Sequence, residues 1–176
     1  MPDVIDAIQK DHERIRSLFG ELVDAGEQRP EVAEELVHLL VAHETAEQEL
    51  IHPLTRKADE SVVEELLVEE KSAEVALSEL EDLEVDSPQF RAKLVSIRDA
   101  VLAHADHEET DEHPKLRREV DADQLDRMTG PYEAAKSIAP THPHPTSPTS
   151  ATGNLVLGPM VAIADRVRDA IKGATN

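Results

Sequence analysis

The segment HETAEQELIHP at residues 43–53 is echoed by HADHEETDEHP at residues 104–114, so the frame His-x3-Glu-x4-His-Pro occurs twice, sixty-one residues apart. Residues four apart on a helix share a face, with Cβ atoms about 5–6 Å from one another. Each copy therefore offers one imidazole and one carboxylate to the same side of a helix: His43 with Glu47, and His104 with Glu108. The flanking apolar residues say which side. Leu36, Leu40, Leu50 and Leu54 run in register with positions 43 and 47, and Phe90, Leu94, Ile97 and Val101 in register with 104 and 108. Both pairs thus sit on the stripe that a helical bundle buries.

Two further segments carry the same pattern. Ile5, Ile8, Ile15, Phe19 and Leu22 form a seam that includes His12, and Val63, Leu66, Ala73, Leu77 and Leu80 form one that includes Glu70. Pro30 suits the first turn of the second helix, and Ser87-Pro88 supplies a cap and first turn for the fourth. Four amphipathic helices with short connections predict an all-α, antiparallel up-down four-helix bundle over residues 1–118. The halves are related: residues 11–22 overlay residues 69–80, which sets His12 opposite Glu70.

Beyond the bundle, residues 119–139 read as a short accessory helical segment, one helix or two, interrupted at Gly130-Pro131. Residues 140–153 are a Pro, Thr and Ser-rich linker, expected to be extended. Val156, Met160, Ile163, Val167 and Ile171 give residues 154–173 the apolar stripe of an amphipathic C-terminal helix, expected to dock on the bundle or to pair with a second copy as a homodimer.

Composition narrows the function. The chain of 176 residues carries 18 Lys and Arg against 38 Asp and Glu, a formal charge of −20, which disfavours nucleic acid and anionic membrane partners. The absence of cysteine removes disulfides, thiolate catalysis and thiolate-ligated metals, leaving nitrogen and oxygen ligands. No apolar run reaches eighteen residues and no leader pattern opens the chain, so a cytoplasmic protein is expected.

Buried carboxylates are costly unless they are paired, hydrogen-bonded or bound to a cation. The seams place His12, His43, Glu47, Glu70, His104 and Glu108 in the interior, with Glu74 one turn beyond Glu70. Three imidazoles and four carboxylates from four helices suffice for two metals such as iron or manganese, whereas zinc is usually satisfied by four ligands. A dinuclear centre of this kind supports redox chemistry on a small ligand.

The order His12, His43-x3-Glu47, Glu70-x3-Glu74, His104-x3-Glu108 resembles the hemerythrin-like, HHE cation-binding domains across about residues 3–116. That resemblance implies two non-heme iron ions, oxo- or hydroxo-bridged, in preference to manganese, with those seven residues as ligands and Glu47 and Glu108 as bridges. Where the oxygen carriers of the family have two histidines on the third helix, this chain has Glu70 and Glu74. The resemblance then implies handling of hydrogen peroxide, nitric oxide or oxygen, as a peroxidase- or catalase-like or nitric-oxide-processing oxidoreductase, rather than reversible oxygen carriage. The alternative it implies is a non-enzymatic oxygen or iron sensor, or an iron-binding module.

The same resemblance implies that His52 and His113 stand where members of the family usually have an aromatic residue. Nine residues beyond a ligand, each is two and a half turns around a regular helix, off the ligand face. The proline after each biases it away from helical geometry and gives its ring a route toward the site. His38 and His107 lie off the seams and are expected at the surface, and the HPHP at 142–145 belongs to the linker.

Overall fold

The computed structural model describes residues 2–24, 30–81, 83 and 87–138; the predicted linker and C-terminal helix lie outside the described residues. All regular structure among the described residues is helical. It comprises α1 (Val4–Asp24), α2 (Pro30–Leu50), α3 (His52–Ala58), α4 (Glu60–Glu81), α5 (Pro88–His107), a π-helical turn (Glu108–Glu112), α6 (His113–Glu119) and α7 (Ala122–Ile138). None of the described helices is long and apolar enough to cross a membrane.

Local chemistry sets the helix starts. Asp3 and Asp6 exchange carboxylate and backbone N–H groups at the head of α1, a reciprocal cap that satisfies two otherwise orphaned donors. Ser87 Oγ accepts the Phe90 N–H at 3.0 Å, with Pro88 in the first turn of α5, as its sequence predicts. Asp121 does the same for α7, accepting from the N–H groups of Asp123 and Gln124.

Helices α1 and α2 pack as one hairpin and α4 and α5 as another, with α1 also against α5. These four are the predicted bundle. Its apolar core falls into two clusters. Ile15, Leu18, Phe19, Val32, Ala33, Leu36, Phe90, Ile97 and Val101 make one. Val4, Ile5, Ile8, Ala46, Ile51, Leu116, Leu125, Tyr132 and Ala135 make the other. On α1, His12 lies between Ile8 and Ile15, so the layer between the clusters is where the polar seam residues fall.

Three features differ from the sequence reading. The seam extending through Leu54 predicts one continuous second helix, but α2 ends at Leu50 and α3 starts at His52 with Pro53 in its first turn, because proline brings no N–H to continue the ladder. After His107 the fourth helix takes a π turn, in which the His113 N–H donates to the Glu108 carbonyl, five residues back. Helix α7 runs unbroken through Gly130-Pro131; it packs on α1 and α2 and supplies Leu125, Tyr132 and Ala135 to the core. Burial of that stripe outweighs the backbone hydrogen bond that Pro131 cannot make.

Candidate metal centre

Each of the three seam histidines is held from behind. His12 Nδ1 lies 2.8 Å from Glu109 Oε1, which Arg16 also binds at 3.0 Å. His104 Nδ1 lies 3.1 Å from Glu69 Oε2. His43 Nδ1 lies 2.9 Å from the Tyr132 hydroxyl, which itself donates to Asp11 at 2.8 Å, and Lys136 completes the chain by donating to Asp11 at 2.6 Å. With its one proton committed to Asp11, the Tyr132 oxygen accepts from His43, so His43 carries its proton on Nδ1. Carboxylates fix the same tautomer in His12 and His104. In their neutral form all three rings therefore turn an Nε2 lone pair inward, the arrangement by which a protein orients metal-ligating imidazoles.

The lone pairs converge. His12 Nε2 is 3.1 Å from His43 Nε2 and 3.2 Å from Glu108 Oε2, while His43 Nε2 is 3.0 Å from Glu47 Oε2. Glu47 and Glu108 are both fully buried at 0% exposure, and none of their four carboxylate oxygens makes a hydrogen bond. Once the imidazoles give up their protons, acceptors crowded together without donors repel unless a cation lies among them. Adjacent donors around an octahedral ion with bonds of about 2.1 Å lie about 3.0 Å apart, so this set fits a first-row metal.

A second group adjoins the first. Glu44, Glu70 and His104 offer ligand atoms within 4.8 Å of one another, and His104 Nε2 is 3.3 Å from the other oxygen of Glu108. Glu108 thus faces both groups. Six of the seven residues singled out in the sequence stand in these two groups; the side chain of Glu74, on α4, lies outside the described residues. Glu69 and Glu109, the acidic neighbours of Glu70 and Glu108, serve as outer partners of His104 and His12.

Glu44 was missed by the sequence reading, although it follows Leu40 by four residues and Gln48 follows it by four; Gln48 donates to Glu70 at 3.0 Å. Asp11 and Tyr132 were missed as partners of His43 because they lie on helices distant in sequence, where no spacing links them. His107, expected at the surface, is only partly exposed and binds Glu69 at 2.7 Å; His38 is exposed as expected.

The charges are strongly coupled. Burial works against a charged imidazole at His43 and at His104, but Glu47 and Asp11 around the first, and Glu108 and Glu69 around the second, outweigh it and hold both well above the usual range. Burial pushes Glu44 up to about 7, with His104 opposing. Asp11 is also pushed up by burial, but His43 and Lys136 prevail and hold it at about 2. Burial and the negative field of Glu47 and Asp11 push Tyr132 far up, so it remains a neutral donor.

An all-α bundle whose core directs three imidazoles and several carboxylates toward shared points belongs to the carboxylate–histidine class of cation-binding bundles. More particularly, the hemerythrin HHE cation-binding domain matches residues 3–116, and the chain belongs to that family. It is 23% identical over 175 residues to an uncharacterized hemerythrin-like protein of Schizosaccharomyces pombe, an alignment covering 96% of this chain and 86% of that protein. It is 25% identical over 138 residues to a DNA nickase of Nostoc sp., covering 77% of this chain but only 39% of the nickase. No solved structure matches it.

Proposed function

We propose that the chain is a non-heme di-iron protein that processes a small oxidant, hydrogen peroxide, nitric oxide or oxygen. The ligands in this reading are His12, His43, Glu47, Glu70, Glu74, His104 and Glu108, with Glu47 and Glu108 as bridges and Glu44 added by its place beside Glu70 and His104. The observation that carries the reading is the pair of fully buried carboxylates, Glu47 and Glu108, whose oxygens face imidazole lone pairs and have no hydrogen-bond donor. When bound, two iron ions supply a change of oxidation level and open positions for a small ligand.

The chain's own residues do the rest. Glu109, Tyr132 and Glu69 hold the three imidazoles in one tautomer. The carboxylates stabilise the more highly charged metal, which supports oxidant turnover over reversible oxygen carriage. A small cavity walled by Leu40, Ala73 and Val101 reaches Glu44, Glu70 and His104, and its apolar walls suit a small uncharged ligand. The activity in the name of the Nostoc relative does not transfer readily, because a formal charge of −20 opposes binding to phosphates.

Elemental analysis and an optical spectrum establish the metal, and a turnover assay with peroxide and with nitric oxide then tests the function. Turnover no faster than that of free iron would overturn it. A sensor is the second reading, favoured by the contact of Tyr132 on α7 with His43, which links the site to the C-terminal side of the fold. It predicts that iron changes protease cleavage within residues 140–176; identical cleavage with and without iron counts against it.

A further inference from the structure

Glu112 poses a separate electrostatic problem. It lies in the π turn, fully buried at 0% exposure. Its Oε1 accepts from Thr55 Oγ1 at 2.5 Å and faces His52 Nδ1 at 3.0 Å, while its Oε2 has no partner at all. The other nitrogen of His52 faces Glu70 Oε1 at 3.4 Å. Next to Glu112, His113 is buried and stacks on His12 with ring centroids 6.0 Å apart, and neither of its nitrogens finds a partner. His52, Glu108 and Glu112 each bring a ligand atom within 4.8 Å of the others.

Two divalent ions bound by the groups already described balance Glu44, Glu47, Glu70 and Glu108, and Glu112 then remains as an additional buried anion. A protonated His52 is one counter-charge, but it reaches only Oε1 and leaves Oε2 bare. A cation satisfies both. We propose that His52 and Glu112, sharing Glu108, hold a divalent first-row transition ion of their own beside the dinuclear group. Thr55 anchors Oε1 and so presents Oε2, while one His52 nitrogen donates to a neighbouring carboxylate and the other gives its lone pair to the ion. A mixed imidazole and carboxylate set selects iron, manganese, cobalt or zinc over magnesium or calcium. The π turn brings Glu112 to the interior, a common use of such turns.

The test is anaerobic titration of the metal-free full chain with cobalt(II), counting bound ions by elemental analysis and following the visible cobalt bands. His52→Phe and Glu112→Gln should each bind one ion fewer than the wild type, with unchanged helicity. Equal counts in all three proteins would overturn the proposal. Glu112→Gln is nearly isosteric and decides the matter if His52→Phe does not fold. The charge balance rests on the dinuclear reading, but the two can fail separately: a wild type that binds a single ion, lost in Glu112→Gln, would sustain this site while refuting the dinuclear centre. In the reverse case, two ions in the wild type and the same two in both variants refute this site and leave the pair intact.

Discussion

Tyr132→Phe isolates one hydroxyl. The ring stays in the apolar cluster with Ile5, Ile8 and Leu125, while the oxygen that accepts from His43 at 2.9 Å and donates to Asp11 at 2.8 Å is lost. Asp11 keeps Lys136 at 2.6 Å, but its own oxygen is 3.8 Å from His43 Nδ1, too far for a hydrogen bond without movement. His43 then loses the partner that fixes its tautomer, and Nε2 is no longer obliged to present a lone pair. Removing such an outer partner typically lowers metal affinity about 10- to 100-fold, or about 1.4–2.8 kcal/mol. Competition between the protein and a chelator for cobalt(II) measures the change, and thermal unfolding of the metal-free proteins controls for packing. An affinity within about twofold of wild type would refute the assignment of this hydroxyl to metal binding.

His43→Ala and His104→Ala should each lose bound metal in elemental analysis, and metal should then raise their melting temperatures less than it raises that of the wild type. The pH dependence of the metal-free protein is set mainly by groups whose folded values are raised: Glu44, from about 4.5 to about 7, and His43, His52 and His104, well above 6.5, with His113, lowered by burial, opposing them only below its unfolded value. Stability from such groups is fully present below their unfolded values and lost as pH rises through the folded ones, so denaturant midpoints should fall from pH 5 toward pH 9. Metal affinity should rise over the same range, because the imidazoles must be free of protons to bind; a midpoint that climbs with pH in the metal-free protein would contradict the electrostatics. Phe19→Ala, in the cluster remote from Tyr132, should cost about 3–5 kcal/mol in denaturant unfolding while leaving the number of bound ions unchanged.

The bundle was legible because each of its four helices carries its apolar residues at three- and four-residue steps, and because His12, His43, Glu47, Glu70, His104 and Glu108 interrupt those steps at positions that must be interior. His52 and His113 show where periodicity fails. A regular helix turns both away from the site, but the break at Ile51 and the π turn after His107 alter the register, and both rings are buried. Neither irregularity has a signature as plain as a hydrophobic period; the His-Pro at each point is a trace of them. Gly130-Pro131 misled in the other direction, since local propensity predicts a break that the tertiary packing of Tyr132 and Ala135 overrides. The outer partners Asp11 and Tyr132 were invisible because their contact with His43 spans helices that only folding brings together.

The split of the apolar core into two clusters has a consequence for cooperativity. Between them lies a layer of buried carboxylates and imidazoles in which several polar atoms find no partner, and such a half-satisfied layer transmits less cohesion than apolar packing. Amide exchange on the metal-free protein should therefore show the end containing Phe19 and Phe90 opening with a free energy different from that of the end containing Ile5 and Leu116. Metal bound across the layer joins residues from α1, α2, α4 and α5, and the two ends should then open together, as a single unit held at its middle rather than at either end.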